Sequence, residues 1–268
     1  MPCTLIGAFK PDQIGWGFCV YWGNANPSNF PKKKEIMYSN KMTARIVGVF
    51  YITATVASIL SISFWESLTT PDYLTNVSAN ENQVLVVMLI EFIWAFAVVG
   101  IPVMLFPILK KHNEASALGF FSLRFIEAIG VIVGSIILLT LLTIGQEFAE
   151  AGVPDASNYQ TVGTSLLAAR DWAFMLGSGL AFTLSALLLN YVLYQTKLIP
   201  RWLSGWGFVG AILAFATYML QLFGIDLTDI LFLPIAVQEM VFAVWLIVKG
   251  FNSSAIASLS PKPDINEV

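Results

Sequence analysis

Six ionisable residues stand inside long apolar runs of this chain: Glu91, Arg124, Glu127, Arg170, Asp171 and Glu239. Carboxylates and guanidinium groups in such surroundings hold protons, bind counter-ions or pin helices together, and each role requires shelter from lipid. Arg124 and Glu127, at i and i+3, share a helical face and are spaced to pair. That face continues through Gly130 and Gly134, a small-xxx-small spacing that lets a second helix come close. Arg170 and Asp171 read as an outer-side ion pair, with Arg170 clamping a carboxylate near the interface. Four carboxylates face two arginines, so two carboxylates are in excess. Either they hold protons, or a cation or a ligand's positive group compensates them. Glu239 and Glu91 are the candidates for the protonated pair.

The elements that position these residues follow from composition. Hydrophobic residues make up 57% of the 268 and charged residues 12%, against roughly 45 to 50% and 25% in soluble domains. The apolar residues come in six runs of about 20, the length needed to cross a bilayer. Span 1 covers roughly 43–64, span 2 84–109, span 3 from just after Glu114 to near Ile144, span 4 165–194, span 5 203–223 and span 6 230–248. All are helices, because a backbone in hydrocarbon must satisfy its own hydrogen bonds and the runs lack the alternation of barrel strands. The expected fold is an all-α polytopic transmembrane bundle of six helices.

Lys32, Lys33, Lys34, Lys41, Arg45, Lys110, Lys111, Lys197, Arg201 and Lys249 all fall on one side of these spans. Cations resist translocation, so that side is cytoplasmic and both termini lie there. At 1.5 Å of rise per residue, Glu239 lies about 15 Å from Lys249, midway through the apolar core. Arg124 and Glu127 lie about 14 and 18 Å into span 3, and Glu91 about 12 Å from the outer end of span 2. Three helices thus bring charge to a similar depth, and spans 2 and 6 are expected to meet the polar face of span 3. Trp202 and Trp206, at the cytoplasmic edge of span 5, read as interfacial anchors. Trp94 and Trp245 lie deeper, as core or as pocket lining.

Residues 1–36 contain no stretch long enough to span and read as an N-terminal extension, either an interfacial aromatic segment or an over-long start. Residues 37–252 form the membrane domain, and 253–268, SSAIASLSPKPDINEV, read as a disordered cytoplasmic tail. Cys3 and Cys19 precede the first span, in a reducing compartment where no disulfide is expected.

Four stretches carry a resemblance: ARIVGVFY in span 1, LRFIEA in span 3, IPRWLSGWGFVGA entering span 5 and QEMVFAVWLIVKGF in span 6, with RDWAF in span 4 beside them. From Met37 to about Asn252 the chain resembles a bacterial family of six-span membrane proteins catalogued as a domain of unknown function. The resemblance implies the architecture and a bacterial inner membrane, and carries no activity or site residues.

The only histidine, His112, sits on a cytoplasmic loop, so a Ser-His-Asp triad or a histidine metal cluster at membrane depth is excluded. No phosphate-binding Gly-rich loop is present; Gly177-Ser178-Gly179 reads as a kink or packing point. No cofactor, metal or nucleic-acid partner is expected. Three functions stay open. One is binding or transport of a small apolar or cationic molecule through a polar midplane pocket of Glu239, Arg124 and Glu127. The second is an intramembrane enzyme acting on a lipid-soluble substrate, with Glu239 or Glu127 as proton donor. The third is a non-catalytic assembly or sensing protein in which the charges only hold helices together, the ordinary role for Glu91.

Overall fold

A computed structural model describes residues 33–68, 72–151, 156–225 and 229–259. The chain is all-α: α1 (Lys33–Leu68), α2 (Tyr73–Ala79), α3 (Glu81–Leu109), α4 (Glu114–Ala151), α5 (Ala156–Phe174), a π-helix (Met175–Ala181), α6 (Phe182–Thr196), α7 (Arg201–Leu222), a 3-10 turn (Asp229–Phe232), α8 (Leu233–Val248) and α9 (Ser253–Ser258). Among the described residues, six helical stretches are long and apolar enough to cross a membrane: Asn40–Glu66, Glu81–Leu109, Glu114–Glu150, Ser157–Thr196, Arg201–Leu222 and Ile230–Val248. The protein is a multi-pass membrane protein, and the apolar faces of these helices imply a lipid bilayer around them.

Three expectations need correction. The polar residues 156–164, read as loop, are helical, so span 4 begins well before Ser165 and Arg170 lies 14 residues from the start of α5, about 20 Å along the helix. Helical hydrogen bonding does not require apolar side chains where the backbone is already paired, and Thr161, Thr164 and Ser165 return their hydroxyls to the carbonyls four residues back. Span 3 likewise continues past Ile144 to Ala151. The segment following span 1 contains α2, whose buried Leu74 and Val77 pack at the end of the bundle. Finally, the tail is helical over Ser253–Ser258, with Asn252 capping Ser254 N at 3.1 Å and Ala255 and Ile256 buried in the core. Residues 1–32 of the N-terminal extension and the tail beyond 259 lie outside the described residues.

The principal helix contacts join the spans in chain order: α1 to α3, α3 to α4, α4 to the α5–π–α6 rod, α6 to α7, α7 to α8, and α8 back to α1. The result is a closed ring. Between helices in lipid there is no water-driven attraction, so close packing of small residues decides where backbones meet. Gly130 of α4 faces Gly177 of the π-helix so closely that a Cβ on Gly130 would lie 2.7 Å from the Gly177 Cα. The Gly130–Gly134 face therefore receives span 4, with Phe174 against Gly134, rather than spans 2 and 6. Pro102 and Pro107 lie inside α3 without ending it, and Gly100 accepts the ring of Phe50.

The two halves of the ring are filled differently. At the end carrying Lys110, Lys197 and Lys249, one hydrophobic cluster drawn from every span closes the interior, with Tyr51, Phe120, Leu193, Phe242 and Leu246 at its centre. Toward the other end the interior is partly open.

Candidate functional site

That opening is a cavity of about 450 Å³, lined mainly by apolar and aromatic side chains from α1, α3, α4, span 4, α7 and α8. Tyr51, Trp65, Trp94, Phe174, Tyr218 and Phe232 contribute rings. Exposed Ile59 and Ile62 on α1 and Ala236 on α8 are also among its lining residues, so the cavity reaches the molecular surface on that side. Five charged residues line it: Arg124, Glu127, Arg170, Asp171 and Glu239. Four of them belong to two separate clusters.

In the first cluster, Arg124 of α4 lies at the centre. Its Nη1 donates to Glu127 Oε2 at 3.2 Å, one turn on, and its Nη2 donates to Glu239 Oε1 of α8 at 3.2 Å. Nη2 also reaches the Tyr51 hydroxyl of α1 at 3.4 Å. Aromatic faces surround the guanidinium, with Phe182 at 5.2 Å, Tyr51 at 5.5 Å and Phe120 at 5.8 Å. The flat cation is well suited to this, since its weakly hydrated faces stack on rings while its edge donates. The i, i+3 spacing brings Arg124 and Glu127 together as expected, and Glu239 of span 6 joins them through its side chain. One guanidinium serves two carboxylates here. Among the described residues the Arg124 Nε has no hydrogen-bond partner, and the Glu239 side chain retains 14% exposure where Glu127 retains 4%.

The second cluster corrects two expectations. Arg170 does not form a salt bridge with Asp171; among the described residues its ionic partner is Glu91 of α3, whose two oxygens take both guanidinium Nη atoms. The reason is the early start of span 4, which carries Arg170 inward to the level of Glu91 while the adjacent residue turns about 100° away around the helix. Asp171 lies instead along the cavity lining. Glu91 looks unpaired in the sequence, yet it accepts from Ser61 of α1 and Ser135 of α4, both at 2.7 Å, in addition to Arg170. Arg170 further donates to the Gly134 carbonyl and is covered by Trp65 at 4.4 Å and Phe174 at 4.7 Å. One guanidinium thus meets one carboxylate, and both oxygens of that carboxylate are engaged.

Sequence reasoning missed Tyr51, Ser61 and Ser135, because hydroxyls in apolar helices usually bond their own backbone. Ser135 does both, donating to Val131 O at 3.1 Å as well. The bend at Gly177–Gly179 is a π-helix, a feature often found at functional sites. It carries Ser178 to the cavity lining. Trp94 lines the cavity too, stacked on Phe174 at 5.8 Å. Trp202 and Trp206 occupy the first turns of α7, the former exposed and edge-on to Trp245 at 6.3 Å. His112, at the opposite end from the cavity, meets Gln195 at 3.1 Å.

Comparison with curated proteins and with solved structures gives no match. A family model described as a domain of unknown function (DUF4386) matches residues 46–250, which contain both arginine clusters and the cavity between them. This multi-pass membrane protein belongs to the DUF4386 family.

Proposed function

We propose that the cavity binds a small organic cation with a substantial apolar part, and that the protein moves it across a bacterial inner membrane with the lysine-rich end facing the cytoplasm. The supporting observation is the charge count around the rings. Glu91 pairs with Arg170 and Arg124 is shared between Glu127 and Glu239, so that, counting carboxylates against guanidinium groups, two carboxylates are in excess, and Glu239 and Asp171 both lie on the cavity lining. Aromatic faces and unbalanced carboxylates together recognise alkylammonium or aryl-ammonium groups, by cation–π attraction on the sides and charge at one end. An anion would meet repulsion in the same space. The cavity lies in the size range of small-molecule sites, roughly 300 to 1,000 Å³, and its mostly apolar wall favours an amphiphilic guest over a hydrated metal ion.

Titration calorimetry with benzyltrimethylammonium, on protein in a neutral detergent, tests the binding step. Glu239→Gln should weaken binding by about tenfold or more, since loss of one partly desolvated charge contact is worth at least ~1.4 kcal/mol. Benzenesulfonate, of similar size and opposite charge, should give no heat. Equal binding by wild type and Glu239→Gln, or preference for the anion, would reject the reading. Uptake of the same cation into proteoliposomes, abolished in Glu239→Gln, tests the transport step.

A further inference from the structure

A second cavity, of about 430 Å³, lies at the lysine-rich end between the α6–α7 turn and the α8–α9 turn, with Lys197, Arg201, Lys249 and Trp245 among its lining residues. Among the described residues its lining has three cations and no Asp or Glu. None of the three cations forms a salt bridge among the described residues. We propose that this pocket is a binding site for a phosphate-bearing anion, held at the level where lipid headgroups lie.

The frame beneath the cations is rigid. Lys197 ends α6 in the left-handed conformation, φ 56°, with its N–H donating to Leu193 O at 3.1 Å. Leu198 and Ile199 then bury themselves in the core, and Pro200 fixes the entry into α7. On the other side, the N–H groups of Lys249 and Gly250 both close on Trp245 O, and Gly250 supplies the positive φ, 72°, that turns the chain. The two turns are tied together: Asn252 N donates to Leu198 O at 2.8 Å, and Asn252 Nδ2 donates to Lys197 O at 3.4 Å. Buried Phe251, Ala255 and Ile256 hold the second turn down from behind.

Ordinary helix electrostatics accounts for only part of the charge. Lys197 and Lys249 sit at the C-terminal ends of α6 and α8, where cations complement the helix dipole. Arg201 does not share that reason. It opens α7, at the positive end of a 22-residue helix whose N-cap, Pro200, offers no side chain to its first N–H groups. A third cation in that place is repelled by both the dipole and its neighbours, and an anion relieves both. The Arg201 guanidinium lies over the Tyr194 ring at 5.1 Å, which orients its edge while leaving it free of carboxylates. Trp245 on the wall and Trp202 edge-on to it are the amphipathic rings that favour the depth of headgroups. Basic pockets between spans at this level take anionic headgroups.

The test is lipid retention by full-length protein in nanodiscs of phosphatidylcholine with one-fifth phosphatidylglycerol, read by native mass spectrometry after release. Three proteins are compared: wild type, Lys197→Gln/Arg201→Gln/Lys249→Gln, and Lys110→Gln/Lys111→Gln as a control at the same end. At about fivefold per cation near a membrane surface, the triple variant should retain on the order of a hundredfold less phosphatidylglycerol. The control should match wild type. Inorganic phosphate titrated into the detergent-solubilised protein forms the second arm. Binding of phosphate that is lost in the triple variant, with no lipid selectivity, supports the anion site with a soluble source; displacement of retained lipid by phosphate supports the lipid. The proposal is overturned if wild type prefers neither phosphatidylglycerol nor phosphate, if the folded triple variant keeps them as wild type does, or if the control loses them to the same extent as the triple variant. A helical circular-dichroism spectrum and a single gel-filtration peak establish folding for each variant.

Discussion

The two buried arginines of this protein have solved one problem in opposite ways. Arg170 has a dedicated carboxylate in Glu91, two serines that also donate to that carboxylate, the Gly134 carbonyl as a further acceptor and two rings over its faces. Arg124 has three ring neighbours and two carboxylates to itself, an Nε with no hydrogen-bond partner among the described residues, and in Glu239 a partner that is still partly exposed. In the Arg170 cluster one carboxylate meets one guanidinium. In the Arg124 cluster two carboxylates share one guanidinium beside the cavity. Both clusters line the same cavity, so neither depth nor access distinguishes a helix clamp from a binding site; the balance of carboxylates against guanidinium groups does.

The largest effect expected from breaking this contrast is on stability at the Arg170 cluster. Arg170→Leu leaves Glu91 buried without its cation and should destabilise the protein by about 3–5 kcal/mol, whereas Arg170→Leu with Glu91→Leu should recover much of that loss. Thermal melts of detergent-purified protein, followed by gel filtration, measure both. Arg124→Leu should also destabilise, but replacing Glu127 alone as well should not restore the fold fully, because Glu239 is left behind. Only Arg124→Leu/Glu127→Gln/Glu239→Gln should approach wild-type melting. Recovery in the double variant would show that Glu239 is not coupled to Arg124.

Smaller effects sharpen the comparison further. Gly130→Ala forces apart two backbones in contact, Gly130 against Gly177, and should cost about 1–3 kcal/mol in the same melts. Tyr51→Phe removes one 3.4 Å contact to Arg124 and keeps the ring, so about 0.5–1.5 kcal/mol is expected.

Much of this was legible in the sequence. Apolar run lengths gave six spans because bilayer thickness leaves little choice, and a three-residue spacing gave the Arg124–Glu127 contact because one helical turn imposes it. Depth counting also brought Glu239 to the right level. What failed depended on where helices end and how they rotate. The segment 156–164 is too polar to look like span, so Arg170 was placed near the interface and paired with its neighbour in sequence, when its partner lies 79 residues away. Glu91 looked unpaired for the same reason. No local signal marks Ser61 or Ser135 as donors to Glu91, since their role exists only once α1, α3 and α4 are packed. The π-helix was visible only as a pair of glycines.

In the proposed function, Glu239 is the spare carboxylate of the Arg124 cluster and recognises the cation. Calorimetric titration of benzyltrimethylammonium into wild type and Glu239→Gln, with melting temperatures recorded on the same samples, tests it most directly. Binding should weaken by about tenfold or more while the melting temperature changes little, because Arg124 keeps Glu127 as its counter-ion. Unchanged affinity in Glu239→Gln, or a collapse in melting temperature equal to that of Arg170→Leu, would contradict it and return Glu239 to the role of a helix clamp.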